Sequence, residues 1–201
     1  MNEIKLRGLK LKTFTEQNVE DYCLLNNINP LDIKELNLRS NELTDISGVK
    51  LFKNLKHLDL FNNKIKDISS VKDLNKLKYL NISVILLTDI SDLKDLKKLK
   101  YLNLNNLKIL DLNHNKITDI SVLKDLKNLE ELYLNRNQIT NISVIQYLKK
   151  IKYLNIDYLK LESDQIKYIK KLNNLEELWC ENGFKDMSVI NQLDKNIGII
   201  K

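Results

Sequence analysis

The chain has 201 residues and a formal net charge of +6, from 33 Lys and Arg against 27 Asp and Glu. Four glycines and one proline leave no candidate for a flexible linker, which favours a single domain. The start, MNEIKLRGLKLKTF, has no continuous apolar run, so neither a signal peptide nor a membrane span is expected.

Residues 1–32 are predicted to form an N-terminal cap that contains a helix. The strand pattern of the repeat comes first, at Leu6, Leu9 and Leu11. Thr15 then supplies an N-cap and Glu16 an acid in the first turn. An apolar helical stripe follows and stops at NNINP: Val19, Tyr22, Cys23 and Leu25. Such a helix would cover the open end of the core built by the rest of the chain.

From residue 33 onward the chain repeats one phrase, LxxLxLxxNxI followed by TDISxLKxLKN. Near-copies begin at Ile33, Leu55, Leu77, Leu99, Leu107, Leu129, Ile151 and Leu175. Successive starts are 22 residues apart, except for 8 residues after Leu99 and 24 before Leu175. Repetition at this period predicts a solenoid, because one coil cannot bury enough apolar surface alone and needs its neighbours.

Each phrase predicts a short strand at its third to fifth residues, with alternate side chains facing opposite ways. Leu36 would face inward, whereas Glu35 and Asn37 would face outward. An asparagine recurs at the ninth position, where its amide is expected to bond backbone groups left unpaired at the bend: Asn41, Asn63, Asn115 and Asn137. Apolar residues three apart, as at Ile120 and Leu123, predict a 3₁₀ turn on the convex side.

These phrases resemble the leucine-rich repeat family, in the 22-residue form of bacterial internalins and of the regulatory protein of phosphatase 1. The resemblance implies an α/β solenoid, a curved array with a parallel concave sheet and mostly 3₁₀ or short helical turns on its convex side. Residues 33–201 would form this solenoid, continuous with the cap. The phosphatase regulator implies an intracellular enzyme as partner, and the internalins imply a host surface receptor.

Two phrases only eight residues apart, at Leu99 and Leu107, cannot both encircle the core. We expect residues 77–106 to form one long coil, because the phrase from Leu107 keeps Asn115 and a regular next start. The extra residues would extend the convex turn into a helix after Ser91. The alternative is a strand at Leu99 followed by a bulging loop.

The sequence offers no catalytic constellation, so neither an enzyme nor a cofactor is expected. His57 and His114 lack partners placed to form a triad and are interpreted as surface residues. Four convex aspartates are interpreted as turn residues rather than as a calcium-binding ladder: Asp45, Asp67, Asp89 and Asp119. Cys23 and Cys180 would lie too far apart for a disulfide, and reduced thiols favour the cytoplasm.

The outward strand positions carry many aromatic residues, which either reflect strand preference or anchor a protein interface. Charge is expected to change along this face, from basic at Lys10, Lys12 and Arg39 to acidic further on, which would orient a partner. Tyr101 would join this face only with a strand at Leu99. The predicted partner-binding residues are Phe61, Tyr79, Glu131, Tyr133, Tyr153, Asp157, Tyr158, Glu177, Trp179 and Glu181.

The sequence therefore predicts a non-catalytic scaffold in the cytoplasm that binds a protein through its concave face and regulates an intracellular enzyme. The alternative is a secreted or host-delivered, internalin-like adhesion or effector protein. A lower alternative is binding of single-stranded nucleic acid along a basic rim, which Glu130 and Glu176 interrupt. The rim is formed by Arg7, Lys34, Lys56, Lys78, Lys108 and Lys152. The final IGIIK predicts a strand edge for dimerisation.

Overall fold

A computed structural model describes residues 2–85, 90 and 108–200. They form a parallel sheet whose three-residue strands follow chain order. The strands are β1 (Glu3–Lys5), β2 (Glu35–Asn37), β3 (His57–Asp59), β4 (Tyr79–Asn81), β5 (Ile109–Asp111), β6 (Glu131–Tyr133), β7 (Tyr153–Asn155), β8 (Glu177–Trp179) and β9 (Gly198–Ile200). The middle residue of each strand pairs with the middle residue of the next, as Leu36 does with Leu58. The predicted curved solenoid with one parallel concave sheet is confirmed.

The convex side of the described coils consists mostly of 3₁₀ helices, as predicted. They span Pro30–Asp32, Ser47–Leu51, Ser69–Asp73, Ser121–Asp125, Ser143–Tyr147, Ser163–Gln165 and Met187–Gln192. Ile120, Leu123 and Leu126 are all buried, because a 3₁₀ helix turns every three residues and brings this spacing onto one side. Two α-helices accompany them, α1 (Glu16–Leu25) and α2 (Ile166–Ile169). In the described ranges no helix combines the length and the apolarity needed to cross a membrane.

Helix α1 begins after Thr15, where a capping box fixes its start. The Thr15 hydroxyl accepts a hydrogen bond from the Asn18 backbone N–H at 3.2 Å, and Asn18 Oδ1 accepts one from the Thr15 N–H at 3.2 Å. Val19 and Cys23 are the buried residues of the helix, on the side that packs against the solenoid. Leu25 is 86% exposed, so its place in the predicted inward stripe was wrong.

Gly48 makes the contact between α1 and the solenoid close. A Cβ at this position would lie 2.4 Å from the Thr15 carbonyl oxygen and 2.6 Å from Val19 Cγ2. The Gly48 N–H also donates to the Phe14 carbonyl oxygen at 2.8 Å. The chain therefore needs glycine here because backbone, rather than a movable side chain, occupies the space.

The first strand lies earlier than predicted. Strand β1 pairs Ile4 with Leu36, so the expected strand pattern at Leu9 and Leu11 was wrong. EIKLR at residues 3–7 is the counterpart of ELNLR, 32 residues later. The ten residues of α1 lengthen this first coil beyond the usual 22, which displaces the strand from its expected place.

The ninth-position asparagines join neighbouring coils, and their predicted role at the bend is confirmed. Asn137 Nδ2 donates to the carbonyl oxygens of Leu134 in its own coil and Leu112 in the preceding one, both at 2.9 Å. Its Oδ1 accepts from the Ile117 N–H at 3.1 Å. The same pair of carbonyl contacts, one in each coil, recurs at Asn41, Asn63 and Asn115.

Two strands that are neighbours in the sheet, β4 and β5, begin 30 residues apart in the chain instead of the usual 22. Strand β4 pairs directly with β5, with Leu80 opposite Leu110. The phrase from Leu107 therefore supplies the strand next to β4, as predicted. The helix expected after Ser91 and the alternative strand at Leu99 lie outside the described residues.

A residue with positive φ stands at the eighth position, three residues after the last residue of the strand. Gly8 has φ 70°, and φ lies between 48° and 61° at Ser40, Asn62, Val84, His114, Arg136, Tyr158 and Asn182. The sequence does not predict this conformation, because only glycine and asparagine commonly mark it. The turn it makes carries the eighth side chain away from the row of outward strand residues.

The convex aspartates cap the turns that follow them. Asp67 Oδ1 accepts the Ser69 N–H at 2.7 Å, which lowers the Asp67 pKa. The same bond recurs at Asp45 and Asp119, so their interpretation as turn residues is confirmed. Asp89 lies outside the described residues. Within the part of the chain that is described, no three His, Cys, Asp or Glu side chains are grouped as a metal site.

Candidate functional site on the concave face

Three predicted aromatic residues meet on strands β6 to β8, and we call them the aromatic cluster: Tyr133, Tyr153 and Trp179. The Trp179 ring centroid lies 6.4 Å from that of Tyr133 and 6.3 Å from that of Tyr153. Asn155 lies between Tyr133 and Trp179 in the strand register. Its small side chain lets the two rings meet across it, although their strands are about 9.6 Å apart. All three rings remain partly exposed.

Both tyrosine hydroxyls of the aromatic cluster donate to carboxylates. Tyr133 Oη donates to Glu131 Oε2 at 2.8 Å, and Tyr153 Oη donates to Glu176 Oε2 at 3.2 Å. Burial and then the Glu131 bond raise the pKa of Tyr133, whereas the bond to Glu176 is the main cause of the raised Tyr153 pKa. The two phenols are therefore neutral at physiological pH.

Carboxylates surround the aromatic cluster, and we call them the acidic set. Glu177 and Glu181 precede and follow Trp179 on the outward side of β8, and Asp157 Oδ1 accepts the Glu181 N–H at 2.6 Å. The third, fifth and seventh positions of β5 to β8 carry neither lysine nor arginine. The acidic set consists of Asp111, Glu131, Asp157, Glu177 and Glu181.

Asp111 is a member that the sequence did not single out. Its Oδ1 accepts the Asn113 N–H at 3.0 Å. Burial is the main cause of a raised Asp111 pKa, and the nearby Asp59 carboxylate adds to it. Its signal in the sequence is its fifth position, directly beside Tyr133 in the register.

We expect Asp111→Asn to raise the free energy of unfolding at pH 7. The folded state raises the pKa of this carboxyl, so its ionised form opposes folding at neutral pH, whereas asparagine is uncharged and keeps an oxygen for the Asn113 N–H. The gain should shrink as the pH falls through the folded pKa towards the unfolded one, because Asp111 then becomes protonated. Urea unfolding over a pH series measures this. Asp32→Asn, at an exposed site, is the control, and an equal gain at every pH would contradict the assignment.

Phe61 and Tyr79 do not join the aromatic cluster. The Arg39 guanidinium lies 4.5 Å from the Phe61 ring centroid and 3.1 Å from the Asp59 carboxylate. The Tyr79 ring lies 6.2 Å from His57, beside an open hollow of about 230 Å³. The predicted anchors thus divide into two groups, and the N-terminal group already has partners within the chain.

Tyr158 lies at the corner of the groove rather than within it. Its φ of 61° belongs to the eighth-position turn. The Arg136 guanidinium lies 4.7 Å from its ring centroid, and a hydrogen bond to Glu181 is the main cause of its raised pKa. Tyr158 thus connects the edge of the groove to the acidic set.

The charge prediction needs one correction. The fifth and seventh positions of the first coil hold Lys5 and Arg7, not Lys10 and Lys12, because β1 starts at Glu3. Lys5 Nζ lies 3.0 Å from the Glu3 carboxylate. Together with the Arg39–Asp59 pair, this makes the N-terminal end mixed in charge rather than basic, whereas the C-terminal half is acidic as predicted.

The geometry and the comparisons with known proteins together define the class. A family described as Leucine Rich repeats (2 copies) matches residues 31–74 and 105–147. These two stretches match leucine-rich repeats, and the described residues as a whole have the fold of a leucine-rich repeat solenoid. Both cysteines are buried and no disulfide joins them, as expected from their distance along the solenoid.

Two solved structures have a similar fold. Internalin C2 of Listeria monocytogenes aligns with a TM-score of 0.78 and 24% identity, over 98% of this chain and 79% of that one. A leucine-rich repeat protein of Leptospira interrogans aligns with a TM-score of 0.78 and 25% identity, over 100% of this chain and 49% of that one. The chain thus spans about half the length of the Leptospira protein. Comparison with curated proteins gives no match.

Proposed function

We propose that the chain is a non-catalytic scaffold that binds a protein through its concave face. Leucine-rich repeats are typical of protein–protein interaction, and they generally serve as scaffolds rather than as enzymes. The aromatic cluster carries the proposal, since Trp179 and two tyrosines meet on this face and stay partly exposed. A tryptophan or tyrosine buried by a partner can contribute about 2 kcal/mol or more.

The partner we favour is an intracellular enzyme that the scaffold regulates in the cytoplasm. The resemblance to the phosphatase 1 regulator supports this role, and two buried cysteines without a disulfide between them are compatible with a reducing compartment. The likeness to internalin C2 supports the alternative, a secreted or host-directed adhesion or effector protein.

Nucleic acid has less support. Lys108 Nζ lies 2.7 Å from Glu130 and Lys152 Nζ lies 3.0 Å from Glu176, so two rim lysines are paired with the glutamates that interrupt their row. Arg7 follows β1 at a seventh position and does not extend the rim. Binding to phosphates would require breaking these pairs.

A pull-down with matched variants tests the proposed function. Wild type would be compared with a concave triple variant, Tyr133→Ala, Tyr153→Ala and Trp179→Ala, in lysate of the source cells and of host cells. The control removes three exposed apolar side chains elsewhere: Leu24→Ala, Leu25→Ala and Tyr147→Ala. Circular dichroism and thermal melting would show that both variants are folded.

We expect wild type and the control variant to capture the same protein, and the concave triple variant to fail to capture it. Its identity distinguishes an intracellular enzyme from a host receptor. Equal capture by the concave triple variant would contradict binding through this face.

A further inference from the structure

We propose that the aromatic cluster and the acidic set bind a segment of the partner that carries arginine or lysine, with one cationic side chain held over the rings. This inference rests on the proposed function and specifies the chemistry of the partner at that face. It follows from the local charge, from the ring geometry and from cation–ring contacts that the chain makes elsewhere.

The local charge is opposite to that of the whole chain. The net charge is +6, yet the outward positions of β5 to β8 hold five carboxylates and no lysine or arginine. Electrostatic interactions are screened over about 8 Å at physiological ionic strength, so a bound segment would be influenced mainly by these carboxylates. Arg136 lies over Tyr158 and Lys152 is paired with Glu176, so the nearby cations are engaged.

The rings of the aromatic cluster suit a cation. Trp179 is tilted by 44° to Tyr133 and by 46° to Tyr153, so the ring faces are inclined to one another and not stacked flat. A cation within about 6 Å of a ring centroid is attracted to the face, and tryptophan attracts it most strongly. The neutral phenols donate hydrogen bonds to Glu131 and Glu176 at their edges, which leaves the ring faces available.

The chain already places guanidinium groups on rings on this face and at its corner. Arg39 lies 4.5 Å from the Phe61 centroid and Arg136 lies 4.7 Å from the Tyr158 centroid, both beside a strand end. Over the aromatic cluster, by contrast, the described residues place no arginine or lysine. Among the described residues, the aromatic cluster therefore lacks the cation that the single rings of Phe61 and Tyr158 have.

Strand spacing indicates the length of the segment. Asp111 on β5 and Trp179 on β8 are three strand spacings apart, about 14 Å, and an extended chain covers this in about four residues. Two cationic side chains about four residues apart would thus reach the aromatic cluster and Asp111 together.

Peptide titration by calorimetry tests the inference. The probe is Gly-Arg-Gly-Gly-Gly-Arg-Gly, and its counterpart carries citrulline, which keeps the shape of arginine without its charge. We expect the arginine peptide to bind at least about tenfold more tightly than the citrulline peptide, and Trp179→Ala to weaken it by up to about tenfold. The double variant Glu177→Gln and Glu181→Gln should weaken binding several-fold and reduce its dependence on salt concentration, because two of the carboxylates that salt screens are gone.

The control makes the same charge change at exposed sites in the cap, Glu20→Gln with Asp32→Asn, and should bind like wild type. Equal binding of both peptides, or equal loss in the control, would overturn the cationic assignment. If capture of the partner depends on the aromatic cluster but the arginine peptide does not bind, the assignment fails and the proposed function stands. If capture does not depend on the cluster and the peptide does not bind, both fail.

Discussion

Gly48→Ala is expected to destabilise the N-terminal end of the solenoid by about 3 kcal/mol, at the upper end of typical overpacking costs. The new methyl group would lie 2.4 Å from the Thr15 carbonyl oxygen, 2.6 Å from Val19 Cγ2 and 2.7 Å from the Phe14 carbonyl oxygen. Two of these atoms belong to the backbone, so no side-chain rotation can relieve the clash. Helix α1 must move away, which exposes Val19 and Cys23 to water.

Urea unfolding followed by circular dichroism measures the loss of stability, and the reactivity of Cys23 reports the position of α1. Burial raises the pKa of the Cys23 thiol, and a buried neutral thiol reacts slowly, so displacement of the helix should speed its modification. Ser70→Ala is the matched control, because Ser70 holds the place of Gly48 in the next coil and already carries a side chain. A Gly48→Ala variant as stable as wild type would contradict the close packing.

Asn137→Ala is the second substitution from which we expect a large effect, a loss of about 3 kcal/mol or more in the free energy of unfolding. Alanine would leave two buried backbone groups, the Leu134 carbonyl oxygen and the Ile117 N–H, without this amide. The Leu112 carbonyl oxygen would lose one of two bonds and keep that from Asn115 Nδ2. Each unsatisfied buried group costs about 1–3 kcal/mol. The loss is shared between two coils, because the amide lies between them.

Asn174→Ala is the control for this change, since the exposed Asn174 Nδ2 donates to a single carbonyl oxygen, that of Lys149. Urea unfolding should separate the two variants clearly. Hydrogen exchange adds a local readout. The Ile117 amide hydrogen should exchange faster in Asn137→Ala than in wild type, whereas its exchange rate in the control should not change. Equal unfolding midpoints would show that water replaces the asparagine without cost.

The repeat made most of the fold predictable, because coils stacked in register give each inward position the same surroundings. The first strand was the exception. Leu9 and Leu11 imitate the LxL pattern, and only pairing with Leu36 identifies Ile4 as the inward residue of β1. The insertion of α1 makes the first coil longer than the 22-residue repeat, so that β1 and β2 are 32 residues apart. A pattern based on the 22-residue spacing therefore cannot place β1.

The candidate site was predictable residue by residue but not as a group. The outward positions of Tyr133 and Trp179 follow from the repeat, whereas their contact depends on the small Asn155 between them. Asp111 was missed because its burial comes from neighbouring coils on a curved face. A strand pattern reports which side a residue faces but not how deeply its neighbours cover it.

Ile85 has a consequence for cooperativity. It is buried at the ninth position of its coil, where the asparagines elsewhere place a bridging amide, so the junction with the coil from Leu55 lacks one. In a stack of coils that contact only their neighbours, stability behaves as a one-dimensional sum of coil and junction terms. A weaker junction near the middle divides the stack of coils into two groups that unfold less cooperatively with each other. The half that carries Arg39 and Phe61 can then unfold before the half that carries the aromatic cluster, and the groove behaves as two thermodynamic units joined end to end.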